Sequence, residues 1–219
     1  MRKLVLATLL AAPLWASAAT NLVANGSFES GLTGWTVSGS VGDAYPVSVI
    51  TYNSASPYPT GAFGEAVPVD NAVNMSPDAP GSQALYFSSD LSTQVVSQTV
   101  TVLTAGLYTF GLDVYLPANG YANPVDATLG LTLGSNNLGT HALSSFGATT
   151  WTPGSSTLNL AAGTYSLALA FTSNGAPAKD IVIDDVYLIS AVPEASSASM
   201  MFAGLAFLGV VATRRRPKS

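Results

Sequence analysis

The chain has 219 residues, a formal net charge of −5 and no cysteine, which excludes both a disulfide framework and a thiolate metal site. Six of the seven Lys and Arg residues lie in the terminal segments, whereas eleven of the twelve acids fall between Glu29 and Asp185, so the central region carries a net charge of about −10. This charge excludes nucleic acid as a partner, because phosphate binding requires clustered Lys or Arg.

The N-terminus has the three parts of a secretory signal peptide. Arg2 and Lys3 form a basic start, residues 4–15 form an apolar stretch, and residues 16–18 (Ala-Ser-Ala) supply the small side chains of a cleavage site. The apolar stretch is too short to cross a bilayer as a helix. Residues 1–18 are therefore predicted to be a signal peptide, and export through the inner membrane is expected.

The sustained pattern between residues 19 and 190 is an alternation of apolar and polar residues with a period of two. It is clearest in residues 107–116 and 164–172, and shorter versions occur at 127–133 and 47–49. Gly, Pro and Asn separate these stretches, and no capped 3.6-residue periodicity is present. Many short alternating strands are typical of an antiparallel β-sandwich. The predicted fold class is all-β, with one sandwich domain at residues 19–190.

A six-residue pattern, Leu-x-Ala-Gly-x-Tyr, occurs at residues 103–108 and again at residues 160–165. Glycine tolerates the positive φ angles that tight chain reversals require, and each tyrosine opens a long alternating stretch. We interpret the two copies as corresponding hairpins of the sandwich, with an architectural role.

Two regions, residues 45–63 and 115–126, combine aromatic rings with amides and acids, which are the groups that contact sugars in proteins. Prolines stiffen the first region, and the second surrounds a predicted strand end. Loops on a rigid scaffold are common binding sites, although packing in the core or within a loop is the alternative for each ring. The predicted ligand-binding residues are Tyr45, Tyr52, Tyr58, Glu65, Tyr121 and Asn123.

The sequence contains few signals for catalysis. The single histidine, His141, is not accompanied by the G-x-S-x-G motif of a catalytic serine. Neither a P-loop nor a dinucleotide-binding fingerprint occurs in the sequence. A glycosidase needs only two carboxylates, so glycan cleavage stays open as an alternative. No catalytic residue is predicted, and the expected function is non-enzymatic.

The C-terminus, residues 191–219, joins three unlike pieces. Val192-Pro193-Glu194 is followed by an uncharged run at residues 195–213 and then by Arg214, Arg215 and Arg216 in a basic tail at residues 214–219. Nineteen residues make a helix of about 28 Å, close to the thickness of a bilayer's hydrocarbon core. A cationic cluster beyond such a run stays in the cytoplasm. We predict a transmembrane helix at residues 195–213.

This arrangement resembles the PEP-CTERM sorting signal of bacteria that make exopolysaccharide, with Ala195 standing where a second proline is usual. The resemblance implies that an exosortase-type sorting protease recognises Val192, Pro193 and Glu194. It also implies that the helix anchors the protein in the inner membrane before the protein reaches the cell surface or the extracellular matrix.

The remainder of the chain resembles a second family. Residues 21–31, followed by Trp35, look like the start of jelly-roll carbohydrate-binding modules of the galactose-binding-like type, and residues 181–188 look like their closing strand. The resemblance covers residues 21–189 and implies a jelly roll. Residues 43–80 show no counterpart and are predicted to be an insert or a long loop.

The same resemblance implies a structural Ca²⁺ between neighbouring first and last strands, with Glu29, Asp184 and Asp185 as ligands. Calcium prefers six to eight oxygen ligands, which carboxylates supply. Consecutive residues of a strand point to opposite faces, so we expect either a bulge at the Asp pair or only one metal-bound side chain. In the alternative, Glu29 is a solvated loop acid and one Asp faces water.

Together these patterns predict an exported protein that binds exopolysaccharide or another glycan without catalysis. A structural matrix protein that assembles through bridging calcium ions is the first alternative. A glycan hydrolase or lyase is the second.

Overall fold

The computed structural model describes residues 20–39 and 43–191. The predicted signal peptide, the sorting residues Val192, Pro193, Glu194 and Arg214–Arg216, and the predicted transmembrane helix lie outside the described residues. Within the described part, no helix is long and apolar enough to cross a membrane.

The described residues form ten strands, one short α-helix (α1, Ala118–Ala122) and one 3-10 turn (Leu143–Ser145). The strands are β1 (Thr36–Ser38), β2 (Ser48–Thr51), β3 (Gln83–Phe87), β4 (Thr93–Val102), β5 (Gly106–Tyr115), β6 (Thr128–Leu133), β7 (Asn136–Ala142), β8 (Thr152–Leu160), β9 (Gly163–Thr172) and β10 (Ile181–Ser190).

The strands form two five-stranded sheets in which every pairing is antiparallel. Sheet A has the order β1-β4-β9-β6-β7, and sheet B has the order β2-β3-β10-β5-β8. Alternate residues of β5, such as Phe110, Leu112 and Val114, pack between the sheets in the main core, because successive side chains of a strand point to opposite faces. The all-β, antiparallel sandwich predicted from the sequence is confirmed.

The two Leu-x-Ala-Gly-x-Tyr segments are not hairpins, and that prediction is wrong. The first joins β4 of sheet A to β5 of sheet B, and the second joins β8 of sheet B to β9 of sheet A. In each, the tyrosine hydroxyl donates to a carbonyl four residues earlier: Tyr108 to Thr104 at 2.7 Å and Tyr165 to Ala161 at 3.0 Å. These hydrogen bonds therefore stabilise the two connections at which the chain crosses from one sheet to the other.

The central strands of sheet B are buried on both faces, whereas its edge strand β8 is largely exposed. The outer face of sheet B contributes to a second apolar cluster together with side chains of residues 52–80, and this cluster contains Ile50, Tyr52, Ala62, Val67, Ala84, Tyr86, Tyr115, Trp151 and Val182. Burial on both faces explains why β10 is buried at every position from Ile181 to Ile189. The segment predicted to be an insert contains β2, which pairs with β3, and then covers this face.

Candidate functional site

The two aromatic regions predicted from the sequence meet at one end of the sandwich. There they line a cleft of about 240 Å³, which we call the loop cleft. It lies where β3 and β5 end and β10 begins. The lining residues are Tyr45, Ala62, Phe63, Ser88, Asp90, Asn119, Gly120, Asn123, Pro177 and Asp180.

One wall of the loop cleft is an exposed aromatic ring. Phe63 is 44% exposed, and its ring stacks on Tyr58 with centroids 5.4 Å apart and meets the Tyr45 ring edge-on at 5.2 Å. Phe63 and Gly64 both have positive φ angles, 50° and 87°, at a tight reversal between Ala62 and Glu65. This conformation is unfavourable for a bulky residue such as Phe63, and such strain often marks a binding site.

Other residues that line the loop cleft are polar. The buried hydroxyl of Ser88 has no hydrogen-bond partner among the described residues. The Asp180 carboxylate is also buried and accepts a bond of 2.5 Å from the Tyr86 hydroxyl. Asn119 is exposed, and the Asn123 amide donates to the Ala178 carbonyl at 2.6 Å. A flat apolar ring and a set of hydroxyl, amide and carboxylate groups therefore line the same cleft.

Burial raises the pKa of Asp180 from 3.8 to about 6, and the carboxylates of Asp90 and Glu65 add to this, although the bond from Tyr86 opposes it. A protonated Asp180 therefore stabilises the fold below pH 3.8, and this contribution is lost as the pH rises through about 6. One pKa unit corresponds to about 1.4 kcal/mol, so the full effect is about 3 kcal/mol.

We expect the free energy of unfolding of the wild type to fall, relative to that of Asp180→Asn, by up to about 3 kcal/mol between about pH 4 and pH 7. Urea denaturation at several pH values measures this difference. The other titrating groups are present in both proteins, so the comparison isolates Asp180. Parallel stability curves for the two proteins would show that Asp180 keeps its ordinary pKa.

A second depression adjoins the loop cleft and has a volume of about 350 Å³. The two share Tyr45 and Asp90, and the second also contains the exposed side chain of Leu91. The two shared residues make these depressions neighbours at this end of the sandwich.

The structure places two of the predicted ligand-binding residues, Tyr45 and Asn123, in the loop cleft. Tyr58 lies directly behind Phe63. The carboxylate of Glu65 accepts the backbone N–H groups of Ala118 and Asn119 at 2.6 and 2.9 Å, so it caps the start of α1.

The other two predicted residues lie away from the loop cleft. Tyr52 belongs to the segment that covers sheet B, residues 52–80, and its buried hydroxyl donates to Asp184. Tyr121 is half-buried against the core, with the Lys179 ammonium 4.4 Å from its ring centroid. The cleft residues missing from the predicted set include Phe63, Ser88, Asp90, Asn119 and Asp180. Phe63 and Asn119 stand within the two aromatic regions of the sequence, whereas Ser88, Asp90 and Asp180 come from separate segments and carry no local signal.

A different cavity, also of about 240 Å³, lies between the sheets, but it offers few groups for a polar ligand. It is lined mainly by core side chains, with the exposed ring of His141 and that of Phe146 6.0 Å apart at its edge. Its lining is Phe110, Leu112, Val114, Leu129, Leu131, Leu138, His141, Phe146, Gly154, Ser155 and Ser156.

Three carboxylates meet on the outer face of sheet B, and we call them the acid cluster. Asp113 comes from β5, Asp185 from β10 and Asp70 from the covering segment, and one oxygen of each lies within 4.8 Å of the others. Their exposed fractions are 0%, 4% and 6%. The Asn74 amide donates to Asp113 and, at 3.4 Å, to Asp185. Such an arrangement of carboxylate oxygens is able to hold a metal ion.

A bulge in β10 brings Asp185 to this face. The register of β10 against β5 shifts between Asp184 and Tyr187, and Asp185 has a φ of 48°. The side chains of Asp184 and Asp185 therefore both contact the segment that covers sheet B, through Tyr52 and Asn74 respectively. A bulge was one of the two arrangements expected from the Asp-Asp pair.

The structure does not bring the three predicted calcium ligands into one group. Asp185 belongs to the acid cluster, whereas Asp184 accepts the Tyr52 hydroxyl. Glu29 lies apart from the cluster and accepts the backbone N–H groups of Ser82 and Gln83 at 2.7 and 2.6 Å. The first and last strands, which were expected to be neighbours, are also apart, because β1 pairs with β4. The N-terminal residues that form backbone hydrogen bonds with β10 are residues 21–26, before β1.

The acid cluster has no cationic partner within the described part of the chain. Burial raises the pKa values of Asp113, Asp70 and Asp185, and repulsion from neighbouring carboxylates adds to the rise at Asp113 and Asp185. Lys179 is the only Lys or Arg in residues 20–191, and its ammonium donates to the carbonyls of Tyr121 and Asn123. A proton or a bound cation must therefore offset the buried negative charge.

Comparison with known proteins supports both the predicted C-terminal sorting signal and the predicted β-sandwich domain. Residues 191–216 match the family model of the PEP-CTERM protein-sorting motif. The chain carries this sorting signal. The match confirms the motif read from the sequence, while the transmembrane helix inside it stays a prediction. The chain matches no curated protein sequence at a significant level.

The sandwich is similar to solved structures at low sequence identity. One is a structure of TmCBM61 in complex with β-1,4-galactotriose, with 20% identity, a TM-score of 0.51, and coverage of 77% of this chain and 97% of that one. Another is the K3 adhesin domain of Lys-gingipain from Porphyromonas gingivalis W83, with 17% identity, a TM-score of 0.49, and coverage of 79% and 99%. A family 16 carbohydrate-binding module has 19% identity, a TM-score of 0.44, and coverage of 78% and 100%. The similarity to TmCBM61 shows the sandwich fold of a carbohydrate-binding module.

Proposed function

We propose that this protein binds glycan at the cell surface or in the extracellular matrix, without catalysis, and that the loop cleft is the binding site. The observation that carries the proposal is the loop cleft itself. Separate segments bring an exposed aromatic ring, an unpaired buried hydroxyl, amides and carboxylates to one concave surface.

The apolar and polar residues that line the cleft match the two kinds of surface on a sugar. The exposed ring of Phe63 suits the apolar C–H face of a pyranose, while Ser88, Asp90 and Asn119 suit its hydroxyl groups. Buried polar groups need partners, so the unpaired Ser88 hydroxyl favours a ligand that donates or accepts hydrogen bonds. The net charge of about −10 between Glu29 and Asp185 favours a neutral glycan over an acidic one.

The two neighbouring depressions support a polysaccharide ligand. The loop cleft and the adjoining depression share Tyr45 and Asp90, so one glycan chain would contact both. TmCBM61, which has a similar fold, was solved with β-1,4-galactotriose, and this trisaccharide is a suitable first probe. Exopolysaccharide of the host cell is the physiological ligand we propose.

Sorting supplies the location of this function. An exosortase-type protease would recognise Val192, Pro193 and Glu194 within the matched motif at residues 191–216. The helix at residues 195–213 would hold the protein in the inner membrane until that step.

We also propose that the ion bound by the acid cluster is Ca²⁺, since every candidate ligand in the acid cluster is a carboxylate. That cluster is buried, so an ion within it would not link two molecules, and we do not favour calcium-bridged assembly.

Phe63→Ala tests the site. We expect a loss of glycan affinity of about 2 kcal/mol, or about thirtyfold, because truncating a central aromatic anchor commonly costs this much. The affinity of the wild type should change little with salt, since stacking and hydroxyl hydrogen bonds are short-range. Calorimetry with β-1,4-galactotriose, and with a panel of neutral oligosaccharides, measures both effects.

Leu103→Ala is the matched control, because Leu103 is also an exposed apolar side chain, 84% exposed, but lies outside the loop cleft. It should bind glycan as the wild type does. Equal affinities of Phe63→Ala and Leu103→Ala for every glycan bound by the wild type would refute the cleft as the site. Release of reducing ends from any of these glycans would replace the binding proposal with a catalytic one.

A further inference from the structure

The acid cluster joins the sandwich to the segment that covers it. Asp113 and Asp185 are fixed by neighbouring strands of sheet B, whereas Asp70 belongs to residues 68–80, which contain no strand. Two apolar side chains of this stretch point to solvent, since Val73 is 92% exposed and Met75 is 58% exposed. Apolar packing therefore holds this stretch only weakly.

One oxygen of each cluster carboxylate is buried without a hydrogen-bond partner among the described residues: Asp70 Oδ2, Asp113 Oδ1 and Asp185 Oδ1. A folded protein pairs nearly all of its buried polar groups, because each orphan costs desolvation energy. Three orphaned carboxylate oxygens in one cluster require a shared proton or a bound cation. This observation is independent of the clustering itself.

We propose that Asp70, Asp113 and Asp185 bind one divalent cation, and that this ion fastens residues 68–80 to the outer face of sheet B. The ligand spacing suits a single ion: oxygens 2.3–2.6 Å from a common Ca²⁺ are at most about 5 Å apart, and the cluster oxygens lie within 4.8 Å of one another.

The donor set selects a hard cation. All three ligands are carboxylates, which suit Ca²⁺, whereas soft metals prefer thiolates and imidazoles. The Asn74 amide nitrogen faces Asp113 and Asp185, and its oxygen accepts the Ser76 N–H, so water would complete the ligand shell of the ion. Mg²⁺ should bind less well, because it requires a tighter octahedral shell.

The site differs from the one implied by family resemblance. Glu29, the first residue of that set, bonds to the chain at Ser82 and Gln83, whereas Asp70 lies in residues 43–80, for which the resemblance offered no counterpart. The ion proposed here therefore serves a feature particular to this chain, the covering segment. It does not act at the loop cleft, so glycan binding by the cleft is tested separately.

The test uses the full chain in detergent, stripped with EDTA. We expect Tb³⁺ to bind and to emit when tyrosine and tryptophan are excited, because Tyr52 bonds to Asp184 beside the cluster and Trp151 contacts Tyr52. Ca²⁺ should compete with Tb³⁺. At a hundredfold excess over Kd, Ca²⁺ should raise the Tm by about 5–10 °C. Ca²⁺ should also slow hydrogen exchange of the amides in residues 70–78.

Asp113→Asn should abolish the Tb³⁺ emission, the Ca²⁺-dependent rise in Tm and the slowed exchange, while leaving the Tm in EDTA unchanged or higher. Asp70→Asn should behave in the same way and covers the case in which Asp113→Asn fails to fold. Glu29→Gln is the control and should retain all three responses. The proposal is overturned if the wild type shows no response to either ion, or if Glu29→Gln loses the responses while the cluster variants retain them.

Discussion

Trp151→Ala is expected to lower the free energy of unfolding by about 4 kcal/mol, because it removes the largest side chain between sheet B and its cover. Trp151 is 5% exposed, and its ring lies 5.3 Å from that of Tyr115 and 5.9 Å from that of Tyr52. Its indole N–H also donates to the Pro68 carbonyl at 3.0 Å. Alanine would leave a cavity and an unpaired carbonyl. Urea denaturation followed by circular dichroism measures the loss.

Trp151→Phe retains part of the packing, since it keeps one aromatic ring but removes the bond to Pro68 and the second ring of the indole. We expect it to cost about 1–3 kcal/mol. Leu103→Ala, at an exposed site, should change stability by no more than about 0.5 kcal/mol. A Trp151→Ala variant as stable as Leu103→Ala would mean that residues 52–80 do not form a second core on sheet B.

Gly111→Ala is expected to destabilise the domain by about 3 kcal/mol, because the Tyr187 ring occupies the space that a side chain would need. A Cβ atom at Gly111 would lie 2.2 Å from Cζ of Tyr187, and Tyr187 is 1% exposed. The two residues are paired across β5 and β10, so neither strand is able to move away without breaking the sheet. Thermal unfolding of the variant and the wild type measures the effect.

Gly106→Ala on the same strand is the matched control. A Cβ atom there would meet nothing within 4 Å, and the backbone does not have a positive φ. We expect a change of no more than about 0.5 kcal/mol. Equal losses from the two variants would point to a general intolerance of β5 to alanine, and not to the ring of Tyr187.

The sequence predicted the fold class well and the connections poorly. Alternation in β5 and β9 depends only on which residues of a strand are apolar, so strand positions follow from local sequence. Strand pairing does not follow, because the turn at residues 103–108 would look the same in a hairpin as in a crossover between sheets. The structure shows the crossover, with β4 paired to β9 and β5 paired to β8.

The loop cleft was partly predictable for a similar reason. Aromatic and amide residues crowded into short loops identified Tyr45 and Asn123, both of which line the cleft. Ser88, Asp90 and Asp180 come from two other segments and stand in no recognisable motif. Their role depends on the order of strands in sheet B, which brings the end of β3 beside the start of β10.

The sequence by itself determined the sorting signal at residues 191–216, the antiparallel β-structure and the excess of acids over bases between Glu29 and Asp185. Each is a property of local composition or periodicity, which needs no partner elsewhere in the chain.

Only the tertiary structure decided which acidic side chains lie close together. A period of two places Asp113 on the face of β5 away from the main core. It does not reveal that Asp185 reaches the same face through a bulge, or that Asp70, which precedes Asp113 by 43 residues and Asp185 by 115, lies beside both. Contacts between distant segments arise from the packing of the whole domain, so the acid cluster is a property of the folded protein alone.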